Sequence, residues 1–243
     1  MKISFIIATY NVENCLEVTL KSIICQDNLN YEIIVIDGKS TDNTQEVVEK
    51  YQENIYFFSS EKDNGIYDAW NKGLAKSNGD WIMFVGAGDY YIDGVFDKIL
   101  PKLHRTNSNM ITTDINIIDS NSMILKHISS KMEKDIFIKY MNIPHPGILH
   151  RKSIFENMGN FNINYKIAGD YEFILRNLYL LNFEHLPLIS LNMVEGGVSN
   201  SVNVFYENYK IKIEVLNANK FGELIYLTKN LFLFYLRKLY VKL

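Results

Sequence analysis

The sequence predicts an α/β protein, a mostly parallel sheet flanked by helices with a C-terminal helical extension. Three observations predict it. Apolar runs and amphipathic stretches alternate from residue 3 to residue 86. The runs ISFIIATY (3–10), YEIIVID (31–37) and DWIMFVG (80–86) are nearly continuous, as expected of strands buried on both faces. Beyond residue 200 the pattern is long and helical.

The elements follow in order. The run 3–10 is strand one. Residues 13–26 carry Leu16, Leu20, Ile23 and Ile24 at helical spacing. Strand two, 31–37, leads to a helix over 42–51, with Asp42 as N-cap and Gln45 three residues on. IYFFSS (55–60) is strand three, 66–76 a helix and 80–86 strand four. Such β-α-β alternation argues for parallel pairing under covering helices. MITTDINIID (110–119) and MILKHIS (123–129), joined by SNS, read as a hairpin. A helix near 133–141, a short strand at 147–150, a helix near 170–182 and a strand near 184–194 follow. Helices fill 203–220 and 224–240. No internal repeat or low-complexity linker divides the chain.

Composition narrows the function. The 243 residues are 47% hydrophobic, enough for one sizeable core. A net charge of −3 gives no basic excess for nucleic acid. Cys15 and Cys25 are too far apart for a CxxC pattern and read as reduced thiols of a cytoplasmic protein. The N-terminal apolar run, closed by Asn11 and Glu13, is too short for a signal core or a membrane span.

Gly38-Lys39-Ser40 imitates the end of a phosphate loop, but the required earlier glycine is Ile33, inside a strand. No G-x-G-x-x-G follows strand one, where Thr9-Tyr10-Asn11 stands. Asp37 ends a parallel strand at the carboxyl edge of the sheet, where ligands of open α/β sheets lie. Two readings of it stay open: an acid that starts the next turn, and an acceptor for a ring N–H of uracil, thymine or guanine.

Five stretches, IIATYN, VIDGKSTDNT, EKDNGIYDAWNKGL, GDWIMFVGAGD and AGDYEFILR, stand in the order and at about the spacing of family 2 glycosyltransferases. The chain resembles that family over roughly residues 1–200, most of all its bacterial members that build O-antigen, capsule or exopolysaccharide. The resemblance implies a GT-A (Rossmann-like) domain at 1–200, with a nucleotide-binding half (1–108) and an acceptor half (109–200), then the extension at 201–243. It implies an inverting hexosyl- or N-acetylhexosaminyltransferase. The donor is a nucleotide sugar, a UDP-sugar before others, and the acceptor a glycan or lipid-linked oligosaccharide.

Residue by residue, the resemblance places Thr9, Tyr10, Asn11 and Asp37 on the nucleoside. Asp63, Asn64 and Gly65 lie before a helix start, where backbone N–H groups favour anions, and Asn71, Lys72 and His145 complete the substrate set. Trp70 stands where some relatives have an arginine. Asp89 is the metal residue for Mg²⁺ or Mn²⁺; Gly86-Ala87-Gly88 before it lack the family's other acidic side chain. Asp170 is the catalytic base, its alternative a helix N-cap. His150, five residues after His145, is expected to face the opposite way on a strand. EGGVSNS (195–201) reads as a donor-covering loop or a plain turn. Residues 224–243 carry Lys229, Arg237, Lys238 and Lys242 and no acid. They read as a peripheral contact with the cytoplasmic face of the inner membrane or as a helix packed on the domain. Two other functions remain: a catalytically weak binding subunit of the same fold, and a nucleotidyltransferase.

Overall fold

The computed structural model describes residues 1–196 and 201–240. Its first half alternates as the sequence predicts: β1 (Ile3–Thr9), α1 (Leu16–Ile24), β2 (Tyr31–Asp37), α2 (Thr44–Lys50), β3 (Ile55–Ser60), α3 (Ile66–Leu74) and β4 (Trp81–Gly86). Two short elements carried no signal. β5 (Tyr90–Tyr91) is too brief to show a period, and α4 (Val95–Leu103) contains Pro101. Then come β6 (Met110–Ile118), β7 (Ile124–Ile128), α5 (Lys134–Phe137), β8 (Ile148–Arg151), α6 (Ser153–Met158), α7 (Gly169–Arg176), β9 (Phe183–Val194), α8 (Asn203–Leu216) and α9 (Lys220–Tyr240).

Among the described residues one sheet runs β3-β2-β1-β4-β8-β6-β9-β5, with β7 beside β6. β1 to β4 pair in parallel. β8 is antiparallel to both β4 and β6, while β9 returns parallel to β6. Successive residues of β1 enter opposite cores: Ile6 packs with Ile34, Trp70 and Phe84, Phe5 and Ile7 with Val35, Met83 and Phe96. That two-sided burial is why the strand reads as an unbroken apolar run.

Register fixes the rim. Thr9 stands opposite Asp37, and Ala8 opposite Gly86. The loops after β1, β2 and β4 therefore leave the sheet side by side at its carboxyl edge.

At the C-terminus, Asn217 in a left-handed conformation ends α8. The Asn219 side chain then accepts the N–H groups of Phe221 and Gly222 and starts α9. One side of α9 packs on α8 through buried Leu227, the Phe205–Phe234 ring pair and a Lys212–Glu223 ion pair at 3.1 Å. The rest of its surface exposes Phe221, Leu224, Ile225, Tyr226, Phe232, Leu233, Tyr235 and Leu236, spread over about 200° at 3.6 residues per turn. No helix among the described residues is long and apolar enough to cross a membrane.

Candidate active site

Asp37 is fully buried, and both its carboxylate oxygens are occupied. Oδ1 accepts the Thr9 hydroxyl at 2.9 Å and the Ser40 hydroxyl. Oδ2 accepts the Ser40 N–H at 2.9 Å and the Ser60 hydroxyl at 2.7 Å. These bonds tie the ends of β1, β2 and β3 together. The sequence reading placed Asp37 on a base; here its lone pairs are spent on the loops around it. Thr9 is buried with it.

The loop after β1 is stitched to the loop after β2. The Asn11 N–H donates to the Ser40 hydroxyl, and the Thr41 N–H donates to Asn11 Oδ1, both at 2.8 Å. Asn11 holds φ +53, a left-handed turn that asparagine tolerates. Asp42 accepts both the Thr44 N–H and the Glu13 N–H, so it braces the turn before α2 and anchors the neighbouring loop, while the N-cap expected at Asp42 falls one residue on, at Asn43. Tyr10, in this clamped loop, leaves 62% of its surface exposed.

Asp63 reaches the same corner from the far side of β3. Its Oδ1 accepts the Gly65 N–H at 2.9 Å. Its Oδ2 lies against Gly38, where a Cβ would come within 2.8 Å of it and 3.4 Å of the Tyr10 ring. The Asn64 N–H is held by Asp68, and the Asn64 carbonyl accepts from Lys166. Gly65, at φ +108, precedes α3.

Through α3 this corner meets Asp170. The Tyr67 hydroxyl lies within donating distance of Ile167 O, at 2.7 Å, and of Asp170 Oδ1, at 2.9 Å. Asp170 Oδ1 also accepts the Tyr171 N–H at 2.8 Å. Burial pushes the Asp170 carboxyl up to about 6, against the pull of the Tyr171 N–H and the Tyr67 hydroxyl. The turn that launches α7 is capped from elsewhere. Glu207 of α8 accepts the N–H groups of Lys166, Ile167 and Ala168. Nothing in the local sequence announces Glu207, which lies 39 residues beyond Ala168. Glu172 points away from Asp170 and pairs with Arg176 at 3.0 Å.

Asp89 stands past the end of β4. Its Oδ1 accepts the N–H of Val194, the last residue of β9, at 3.0 Å. Its Oδ2 sits over Gly86, where a Cβ would come within 2.9 Å. Burial pushes this carboxyl to about 7, opposed by hydrogen bonds from Val194 and Gly86. Thr19 secures the turn by donating to the Asp89 carbonyl at 2.7 Å and accepting the Gly88 N–H at 2.8 Å. Among the described residues no three His, Cys, Asp or Glu side chains gather into a metal cage. This donor set fits a divalent cation only if other oxygens, such as those of a diphosphate and water, complete the shell.

Three expected site residues face elsewhere. The Asn71 amide is consumed by the Phe161 backbone, donating to its carbonyl at 2.9 Å and accepting its N–H at 3.1 Å. Lys72 pairs with Glu61 at 2.9 Å and Asp68 at 3.6 Å. His145 lies in the core, stacked on Trp70 at 4.9 Å, and burial holds it well below the usual histidine range. His150, which burial lowers to about 3, stands 4.9 Å from His145, ring to ring. The expected alternation fails because residues 145–147 form a 3₁₀ turn and the strand begins only at Ile148. The covering loop expected at 195–201 lies in part outside the described residues, at 197–200.

The sequence pattern of the family described as Glycosyl transferase family 2 matches residues 4–167. A PGL/p-HBAD biosynthesis glycosyltransferase of Mycobacterium bovis is 27% identical over 208 residues, covering 82% of this chain and 79% of its own. The UDP-Glc:alpha-D-GlcNAc-diphosphoundecaprenol beta-1,3-glucosyltransferase WfaP of Escherichia coli is 26% identical, covering 92% and 82%. Among solved structures, residues 1–349 of S. aureus TarS in complex with UDP superpose with a TM-score of 0.69 at 19% identity, over 92% of this chain and 68% of that one. The mannosyltransferase PcManGT of Pyrobaculum calidifontis, in complex with GDP-Man and Mn²⁺, gives 0.66 at 15%, over 93% and 69%. The fold is the GT-A fold that the resemblance implied. With a match across most of its length, the chain belongs to glycosyl transferase family 2.

Proposed function

We propose that this chain is an inverting glycosyltransferase that moves a hexosyl or N-acetylhexosaminyl unit from a nucleotide sugar to a glycan on a lipid carrier. Asp170 is its base. The observation that carries this reading is the Asp170 carboxyl itself, raised by burial to about 6 and held by Tyr67, at a helix start whose preceding turn is secured by another residue. Glu207 secures that turn, while Asp170 is buried enough to hold a proton near neutrality. In the step itself, an acceptor hydroxyl attacks the anomeric carbon and gives its proton to Asp170. The bond from that carbon to the diphosphate oxygen breaks, and the diphosphate leaves with the electron pair. Tyr67 aims the carboxyl through Oδ1. Mg²⁺ or Mn²⁺ shared between Asp89 and the donor phosphates would supply charge neutralisation on the leaving group, worth several kcal/mol. The named relatives and neighbours support a nucleotide-sugar donor and, through WfaP, a lipid-linked acceptor.

The test is Asp170→Asn. We expect transfer to fall about 10²–10⁴-fold with donor affinity unchanged; retained turnover would remove Asp170 from the role. The wild-type kcat/KM should fall as pH drops below about 6, because the base is then protonated. The sign for stability is opposite. The raised value contributes stability in full below the unfolded carboxyl range, lost as pH rises through about 6. Asp170→Asn should therefore be at least as stable as wild type at pH 7.5, by thermal melting.

The exposed apolar surface of α9 and the acid-free, lysine- and arginine-bearing sequence from 224 to 243 support a peripheral seat on an anionic bilayer. Vesicles containing phosphatidylglycerol should sediment the protein and phosphatidylcholine vesicles should not. Phe232→Glu with Leu236→Glu should abolish this. Equal recovery with both lipids ends the membrane reading.

A further inference from the structure

The corner between β2 and β3 contains one carboxylate that is spent and one that is not. Asp37, at the strand end, accepts four hydrogen bonds and has no accessible surface. A buried acceptor satisfied in this way gains nothing from a ligand and loses by opening. Asp63, arriving from the opposite loop, has one oxygen on the Gly65 N–H. The other rests against Gly38. Residue 38 has no side chain, and that absence lets the Asp63 carboxylate and the Tyr10 ring meet over the same Cα, at 2.8 and 3.4 Å from where a Cβ would lie. Tyr10 offers an open aromatic face beside an unspent acceptor.

We propose that Asp63, and not Asp37, reads the base of the donor nucleotide, with the base lying on Tyr10 and its ring N–H donating to Asp63 Oδ2. This deepens the nucleotide-sugar reading above and rests on it. The chemistry selects a base with a ring N–H, namely uracil, thymine or guanine. Cytosine and adenine present a bare ring nitrogen, whose lone pair would face the carboxylate. Gly38 is part of the device. A methyl at that position displaces the Asp63 carboxylate without straining a left-handed backbone, since Gly38 is not among the glycines of positive φ.

The experiment is calorimetric titration of the full chain with UDP, TDP, GDP, CDP and ADP, each with Mn²⁺. The best of the first three should bind on the order of tenfold or more tighter than CDP. Asp63→Asn, whose amide can donate to a bare ring nitrogen, should bring CDP to within about threefold of that nucleotide. Gly38→Ala should narrow the gap in the same direction while melting within a few degrees of wild type. Asp37→Asn should lower the melting temperature and, where folded, keep the wild-type ranking. An unchanged ranking in Asp63→Asn overturns the assignment, as does a ranking lost in Asp37→Asn at unchanged stability. If all five bind equally, Asp63 is no reader and the glycosyltransferase reading stands. If none binds, both fall.

Discussion

Asp37 and Asp89 are both buried aspartates at the ends of parallel strands, on one rim and two strands apart. Asp37 accepts four hydrogen bonds from three neighbouring segments. Asp89 takes two, from Val194 and Gly86, and its Oδ2 lies over the glycine; burial carries it to about 7. Position on the fold therefore does not set the role of such an acid. The number of donors its neighbours supply does: a saturated carboxylate is a joint of the scaffold, and an under-supplied one keeps valence for a ligand.

That contrast can be broken in three ways. The largest effect should come from Asp89→Asn, which keeps the acceptor for Val194 but removes the charge. We expect Mn²⁺-dependent turnover to fall roughly a thousandfold, equivalent to ~4 kcal/mol, with stability in urea within about 1 kcal/mol of wild type. Normal turnover would make Asp89 another scaffold joint. Next, Asp37→Ala should cost roughly 3 kcal/mol of unfolding free energy in urea, because it strands buried donors; an unaltered urea midpoint would erase the distinction. The smallest effect should come from Gly86→Ala. Its methyl would press on Asp89 Oδ2 from 2.9 Å and should weaken Mn²⁺ stimulation about tenfold. A carboxylate that tolerates the methyl is not aimed by that contact.

Much of this was legible from residues alone. The strands β1, β2 and β4 announce themselves because each is buried on both faces, so ISFIIATY and YEIIVID need no tertiary knowledge to be read. The motif order identified the family, and it brought Asp63, Asp89 and Asp170 to attention. The second half was less readable. β8 slots antiparallel between β4 and β6, a choice made by long-range pairing rather than by its own four residues. The saturation of Asp37 was invisible because Ser60, its last donor, arrives from another strand 23 residues later. Asn71 matched a motif, yet its amide serves the Phe161 backbone 90 residues away. The facing of His150 was misjudged because a 3₁₀ turn at residues 145–147 shifts the count along the chain by which strand faces are assigned.

Glu207 has a consequence for how the molecule is bounded. The family match stops at residue 167, yet the turn that launches the Asp170 helix hangs on a side chain from α8. A truncated chain ending before α8 would keep every motif residue and lose the clasp on the turn before Asp170. The C-terminal helix pair is thus part of the framework around α7, not an appendage apart from it.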